Sequence, residues 1–344
     1  MIRPAGAASF RPMATIQDVA RRARVSTATV SRVLSSPERV AEATRARVMA
    51  AVSDLGYAPN VAAKNLRTLR TGKILVTVPD ISNPFFAKVI RGVEEAAQAA
   101  GYSVLLGDTR NDAGREELYG RMLRRKEADG LIFLGHRLPD SVADLVDHLG
   151  PRAPVVNGCE YSPQLRVSSA HIDNEAAAAE AMAHLYDLGH ARVGVITGPL
   201  ASPLSRDRLT GAQAAAAAAG RLDALQVATG DFSIESGLAQ ARALLAGPAP
   251  PSAIFCFSDE MAMGALEAIR RQGLTCPADV SVVGFDDIRF VAHLDPPLTT
   301  VSQPMERIGH EAVRLLLAVL SGEAEAVRSI TLPHALVVRA STAR

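Results

Sequence analysis

The chain has 344 residues, 48% of them hydrophobic and 21% charged, for a net charge of +1. That composition supplies core for two or three domains and excludes a disordered polyelectrolyte. Cys159, Cys256 and Cys276 are too widely spaced for a disulfide framework or a zinc ribbon, and no run of about 18 uncharged apolar residues is present to span a membrane.

The near-neutral total hides an asymmetry. From Ala14 to Thr71 ten Lys and Arg oppose four Asp and Glu, a surplus of six, whereas residues 72–344 carry a net charge of −7. A basic head on an acidic body suits a polyanionic partner for the head alone. The first twelve residues hold Arg3 and Arg11 but no apolar segment, so they do not read as a signal peptide. Residues 1–13 are expected to be a disordered extension with Met13 an alternative start, and the protein is expected to be cytoplasmic.

In chain order, the first predicted element is a helix over Ile16 to Ala23. Thr15 is its candidate N-cap, Asp18 lies three residues on, and Ile16, Val19, Ala20 and Ala23 repeat at i, i+3, i+4, i+7. A short turn leads to VSTATVSR, Val25 to Arg32, with Ser26 as the next N-cap. Val30, Val33 and Leu34 fall on one side of this helix, and Thr27, Ala28, Ser31 and Arg32 on the other. Small residues, hydroxyls and one arginine suit a major groove, where arginine pairs bidentately with guanine and methyls meet thymine. A third helix follows Pro37, with Val48, Ala51, Val52 and Leu55 on one face and Gly56 as its stop. Helices so spaced form a helix-turn-helix, or a three-helix bundle with no DNA role.

Gly56 to Arg67, GYAPNVAAKNLR, restarts a helix at Asn60 that is too short and polar to be stable alone. With this segment the chain resembles the LacI/GalR family of bacterial transcription repressors. The resemblance implies a hinge helix that orders on DNA, with Leu66 entering the minor groove and Asn60 and Ala63 beside it. It also implies that Thr27, Ala28, Ser31 and Arg32 face bases, and that Thr15, Ser26, Thr29 and Tyr57 serve the DNA backbone or helix caps. Two departures from the family pattern are visible: Arg24 at a turn position often held by glycine, and Ala41 in place of a hydroxyl cap.

From Lys73 onward, short β-branched runs alternate with longer helical ones. Strands are expected at Ile74–Val78, Ser103–Leu106, Leu131–Leu134, Val155–Val156, Val193–Thr197, Ala253–Phe257 and Val280–Gly284. Helices are expected at Phe86–Ala100, Arg115–Lys126, Ser141–Leu149, Asn174–Leu188, Leu204–Ala219, Glu235–Leu245 and Glu260–Arg271. This alternation means parallel sheets with helices on both faces, and ligands beyond the strands' carboxyl ends. Asp80, Asn83, Phe85 and Phe86 follow the first strand, Pro199 to Arg208 follow VGVIT, Phe232 lies in a loop, and Asp286 follows SVVGF.

VPDISNPFF (Val78 to Phe86), HIDN (His171 to Asn174), GDFSIESG (Gly230 to Gly237), FCFSDEMAMGAL (Phe255 to Leu266), GFDDI (Gly284 to Ile288) and DPPLTT (Asp295 to Thr300) extend the resemblance over nearly the whole chain. It implies an all-α helix-turn-helix domain at 14–59, a hinge and linker at 60–72, and an α/β periplasmic-binding-protein-like core of two doubly wound subdomains at 73–344. The N-subdomain would comprise 73–172 and 302–328, and the C-subdomain 173–301 and 329–344. Crossovers would fall near His171–Asn174, Leu298–Gln303 and Arg328–Thr331. Phe85, Phe86 and Phe232 would stack on a planar ring, and Asp173, Arg208 and Asp286 would bond ribose or sugar hydroxyls. Ser202 and Leu204 stand where a purine-binding relative has polar base contacts, which weighs against a purine. Aromatic walls with hydroxyl acceptors suit a nucleoside.

Phe85 and Phe232 could instead be core, Arg208 an internal partner of a carboxylate, and Asp173 a helix cap. No GxGxxG, GxxxxGK[ST], GxSxG or HExxH is present, and His171 with Asp173 has no third metal ligand in sequence, so no cofactor, metal or catalytic role is expected. The expected protein is a homodimeric regulator on a roughly palindromic double-stranded operator, with a small effector, a nucleoside, altering DNA affinity. The alternatives are a solute-binding protein serving a transporter, which has no use for Ala14 to Arg67, and a nucleoside enzyme.

Overall fold

The computed structural model describes residues 14–58 and 70–343, in two units that divide at Arg70. Asn60, Ala63 and Leu66 lie outside the described residues.

In the first unit, α1 (Ile16–Ala23) opens on the capping box expected for it: Asp18 N donates to Thr15 Oγ1 at 3.3 Å, and Thr15 N to Asp18 Oδ2 at 3.0 Å. Arg24 ends it in the left-handed region, φ 52°, the conformation that explains a glycine preference at that turn. In α2 (Thr27–Ser35), Ser26 Oγ accepts from Thr29 N at 3.1 Å. No side chain caps α3 (Glu42–Leu55) at Ala41, and left-handed Gly56 stops it. Val19, Ala20, Ala23, Val30, Val33, Val48 and Ala51 form the core. Leu55, expected on that inner face, is exposed.

The second unit alternates strands and helices: β1 (Lys73–Val78), α4 (Pro84–Ala99), β2 (Ser103–Asp108), α5 (Ala113–Arg124), β3 (Gly130–Phe133), α6 (Asp140–Leu149), β4 (Val155–Gly158) and β5 (Ser168–Ile172). There follow α7 (Asn174–Asp187), β6 (Val193–Thr197), α8 (Pro203–Ala218), β7 (Leu225–Thr229), α9 (Ile234–Leu245), β8 (Ala253–Cys256), α10 (Asp259–Arg271) and β9 (Ser281–Asp286). Last come β10 (Thr299–Ser302), α11 (Met305–Ser321), β11 (Ser329–Leu332) and β12 (Ala335–Val337). The periodicity anticipates most of the series but not β5, β7 or anything after β9.

Two sheets result, with strand orders β11-β5-β4-β3-β1-β2 and β12-β10-β9-β8-β6-β7. Every pairing is parallel except β10 with β12. Strands β3 to β6, β8 and β9 are buried along their whole length, as strands covered by helices on both faces must be.

The chain crosses between the lobes three times. It leaves the first lobe after Ile172, returns after Ser302 and leaves again after Leu332. The last crossing comes later than the expected 328–331, because Ser329–Leu332 register in parallel with Ser169–Ile172 as a strand of the first sheet. Residues 329–332 therefore belong to the first lobe, not the second. Ser302, expected in the first, pairs with Asp286 in the second.

α11 closes the first lobe against α4 at a crossing only glycine permits. A Cβ at Gly92 would lie 2.0 Å from the Glu306 carbonyl oxygen, and one at Gly309 would lie 2.3 Å from that of Val89. Gly92→Val should force the two helices apart, destabilising the core by about 1–3 kcal/mol or more. Thermal unfolding checks this: an unchanged midpoint would mean the helices separate freely.

Candidate functional site

The cleft is built on strand ends. In the second lobe, β9 runs out at Asp286, a buried residue with φ 114°, a strained value for anything but glycine. Its Oδ1 accepts from Gln303 Nε2 at 2.7 Å. Asp259, fully buried at the start of α10, holds the turn from below: Oδ2 accepts from Ile288 N at 2.8 Å and Oδ1 from Thr300 Oγ1 at 2.6 Å. Asp287, also left-handed, pairs with Arg339 at 2.7 Å.

Arg208 projects from α8 into this region and is buried. Its Nε donates to Asn174 Oδ1 at 2.9 Å and its Nη1 to the Phe257 carbonyl at 2.5 Å, with the guanidinium 3.6 Å from the Phe285 ring centroid. Burial pushes its pKa down to about 10, opposed first by Asp286 and then by Glu160. These two donors thus go to an amide oxygen and a backbone carbonyl, with the carboxyls acting on the guanidinium through their charge, and it stays a cation. Burial likewise pushes Asp286 upward, with Arg208 as the main opposing influence.

Glu160, two residues past β4 in the first lobe, escapes the sequence reading. It is buried, its Oε2 accepts from Ser202 Oγ at 3.0 Å across the lobes, and His136 Nδ1 stands 3.9 Å away. Burial pushes it up to about 7 against the pull of Ser202, Arg208 and Arg206. A carboxylate directly after a buried strand was the available signal, the same one that marks Asp286.

The aromatic residues divide. Phe85 is buried and Phe86 half-buried, their rings edge to face at 5.2 Å. Phe232, with φ 73°, lays its ring over Gly198 at the end of β6 so closely that a Cβ there would overlap it at 2.0 Å. Leu204 is half-buried on the first turn of α8.

Two acids expected at the ligand also make local bonds. Exposed Asp173 caps α7 by accepting from Ala176 N at 2.9 Å, and exposed Asp80 accepts from the Ser82 N and Oγ at 2.8 and 2.6 Å. Asn83 caps α4 through Oδ1, which accepts from Phe85 N at 2.9 Å, while its Nδ2 donates to Glu260 Oε2 at 3.1 Å. The structure therefore brings together Ser202, Arg208 and Asp286, and adds Glu160, Asn174 and Gln303. It does not bond Asp80 or Asp173 to them.

On the head, Thr27, Ala28 and Arg32 are exposed along α2 and Ser31 is half-buried. Thr29 is half-buried and its hydroxyl lies 2.9 Å from that of Ser26. Tyr57 packs partly on the head core. Among the described residues no three His, Cys, Asp or Glu side chains converge as a metal site, and no helix is long and apolar enough to cross a membrane.

A helix-turn-helix unit followed along the chain by a two-lobed α/β core defines a class: DNA-binding transcriptional regulators. Residues 15–60 match the bacterial regulatory proteins of the lacI family, and residues 182–342 match a periplasmic binding protein-like domain. The chain is 42% identical to the HTH-type transcriptional repressor CytR of Escherichia coli, over 96% of each protein. It is 37% identical to the repressor PurR of Photobacterium profundum, over 96% of this chain and 98% of that one. The lac repressor dimer bound to operator and the anti-inducer ONPF superposes with a TM-score of 0.87 at 29% identity, covering 96% of this chain and 99% of the other. The CelR–cellobiose complex does so with a TM-score of 0.72 at 34% identity, covering 96% and 100%. This chain belongs to the LacI family. It is a DNA-binding transcriptional regulator and not an enzyme.

Proposed function

We propose that the protein is a cytoplasmic, homodimeric repressor that binds a roughly palindromic operator and senses a nucleoside in the interlobe cleft. The buried Arg208, bonded to the Asn174 side chain and the Phe257 carbonyl and within the electrostatic reach of Asp286 and Glu160, carries this reading. Such a cluster suits a neutral ligand rich in hydroxyl or amine donors, and Phe85, Phe86 and Phe232 suit its flat face. Asp173, Arg208 and Asp286 would take the ribose, with Ser202 and Leu204 toward the base. The names of CytR and PurR relatives support repression.

On the head, Thr27, Ala28, Ser31 and Arg32 would read bases. Thr15, Ser26, Thr29 and Tyr57 would fix caps and phosphates, and Asn60, Ala63 and Leu66 would act in the minor groove. Effector binding modulates operator affinity only through different affinities for two lobe arrangements.

A mobility-shift assay on the protein's own upstream region, with and without ribonucleosides and simple sugars, tests this. A salt-sensitive shift altered by a nucleoside is expected. Arg32→Ala should weaken the preferred site by about 1–3 kcal/mol relative to its base-changed variants. If no nucleoside changes operator binding or thermal stability, the effector reading fails.

A further inference from the structure

Among the described residues, and apart from the Gln303–Asp286 bond at a crossover, two hydrogen bonds join the lobes through carboxylates, and they run in opposite directions. Ser202 in the second lobe donates to Glu160 in the first at 3.0 Å, and Asn83 in the first donates to Glu260 in the second at 3.1 Å. Ser202 precedes α8, whose Arg208 lies in the cleft, and Asn83 precedes Phe85 and Phe86. Each bond therefore leaves from a segment that also carries a candidate effector contact.

Both side-chain polar atoms of Asn83 are engaged. Its amide oxygen caps α4 through Phe85 N, and its amide nitrogen is directed to Glu260. A side chain so engaged at both ends is a bridge between its own helix and the opposite lobe. Glu260 sits on the first turn of α10, directly after Asp259, which holds the Asp286 turn. Glu260 is thus one residue from the carboxylate that bonds the turn after Asp286.

We propose that Asn83 and Glu260 form a cross-lobe latch that sets the angle between the lobes, making Glu260 a positioning residue for effector binding and Asn83 its donor rather than an effector ligand. The proposal rests on the reading of the cleft as the effector site. The charges facing Glu260 sharpen it. Asp80 on the β1–α4 loop and Glu235 on the first turn of α9 both raise its pKa, after burial itself. The latch therefore closes among acids, where an amide donates to Glu260 without adding to their repulsion, as a carboxylate in its place would.

Asn83→Asp tests this cleanly. The new carboxylate still caps α4, so the helix start is kept, but the cross-lobe donor is lost and a fourth acid meets Asp80, Glu235 and Glu260. Glu260→Gln leaves an acceptor for Asn83. In the double variant, the new amide donates to the new carboxylate, restoring the bond with its polarity reversed.

Hydrogen–deuterium exchange on the full chain without ligand reads the latch directly. At pH 8, Asn83→Asp should raise exchange in residues 80–86 and 257–262, Glu260→Gln should resemble the wild type, and the double variant should return toward it. Binding of adenosine, cytidine, guanosine, uridine and ribose is measured alongside. Whichever probe binds the wild type should bind Asn83→Asp about tenfold more weakly and the double variant nearly normally. Exchange unchanged in Asn83→Asp, or no rescue in the double variant, overturns the latch. Should no probe bind the wild type, the nucleoside reading fails, and the exchange experiment still decides the latch.

Discussion

Arg208→Ala should abolish effector binding and lower the unfolding temperature of the core by several degrees. The side chain is buried, and its removal takes a buried cation from two buried carboxyls while leaving the Asn174 amide oxygen and the Phe257 carbonyl without their donor. Each buried acceptor left without its donor typically costs about 1–3 kcal/mol, and losing the charge that opposes Asp286 and Glu160 adds to it. Protonation of Asp286 and Glu160 relieves part of this, so the loss should be larger at pH 8 than at pH 6. Arg208→Lys should recover little, because a point charge replaces neither the fork nor the stacking on Phe285. Calorimetry at the two pH values, with a nucleoside panel, checks both expectations. A midpoint equal to the wild type would show that the carboxyls need no cation.

The second large effect is on pH dependence. Burial lifts Glu160 from its ordinary 4.5 to about 7 and pushes Asp286 upward as well. A carboxyl with a folded-state pKa above its unfolded one holds its proton more tightly when folded. Its stabilising contribution is therefore full below the unfolded value and is lost as pH rises to the folded one. For Glu160 that window runs from 4.5 to about 7. Each such proton changes stability by about 1.4 kcal/mol per pH unit within its window. Thermal midpoints should fall between pH 5 and pH 8, and Glu160→Gln should flatten the fall while keeping an acceptor for Ser202. A profile with the same slope in both proteins would remove Glu160 as its cause.

The head was legible because its signals are local. Thr15 with Asp18, Ser26 and Gly56 mark helix ends within a turn of where they act. The buried central strands were legible too, as short and mostly apolar runs. β5 was not: it reads Ser-Ser-Ala-His-Ile, its polar groups paired partly with each other and partly with distant neighbours such as Ser329. β7, β11 and β12 are partly exposed and carry mixed sequence for that reason. In the cleft, Arg208 and Asp286 could be placed from strand ends and family resemblance. The Glu160 contact could not, since its donor lies 42 residues on, and Glu260 lies 177 residues beyond Asn83. Asp80 and Asp173 carry local bonds that the resemblance does not itself imply. An acid beside a helix start or tight turn satisfies nearby backbone N–H groups before any ligand arrives.

The three crossings carry a consequence for biosynthesis. The lobe whose strands leave the ribosome first is finished by α11 and β11, which leave it almost last. Until then its β5 edge and the Gly92 face of α4 are uncovered, open to chaperones, proteases and neighbouring chains. A message cut short after Ser302 would thus encode a complete head and most of the second lobe, yet strand the earliest-made lobe half-built.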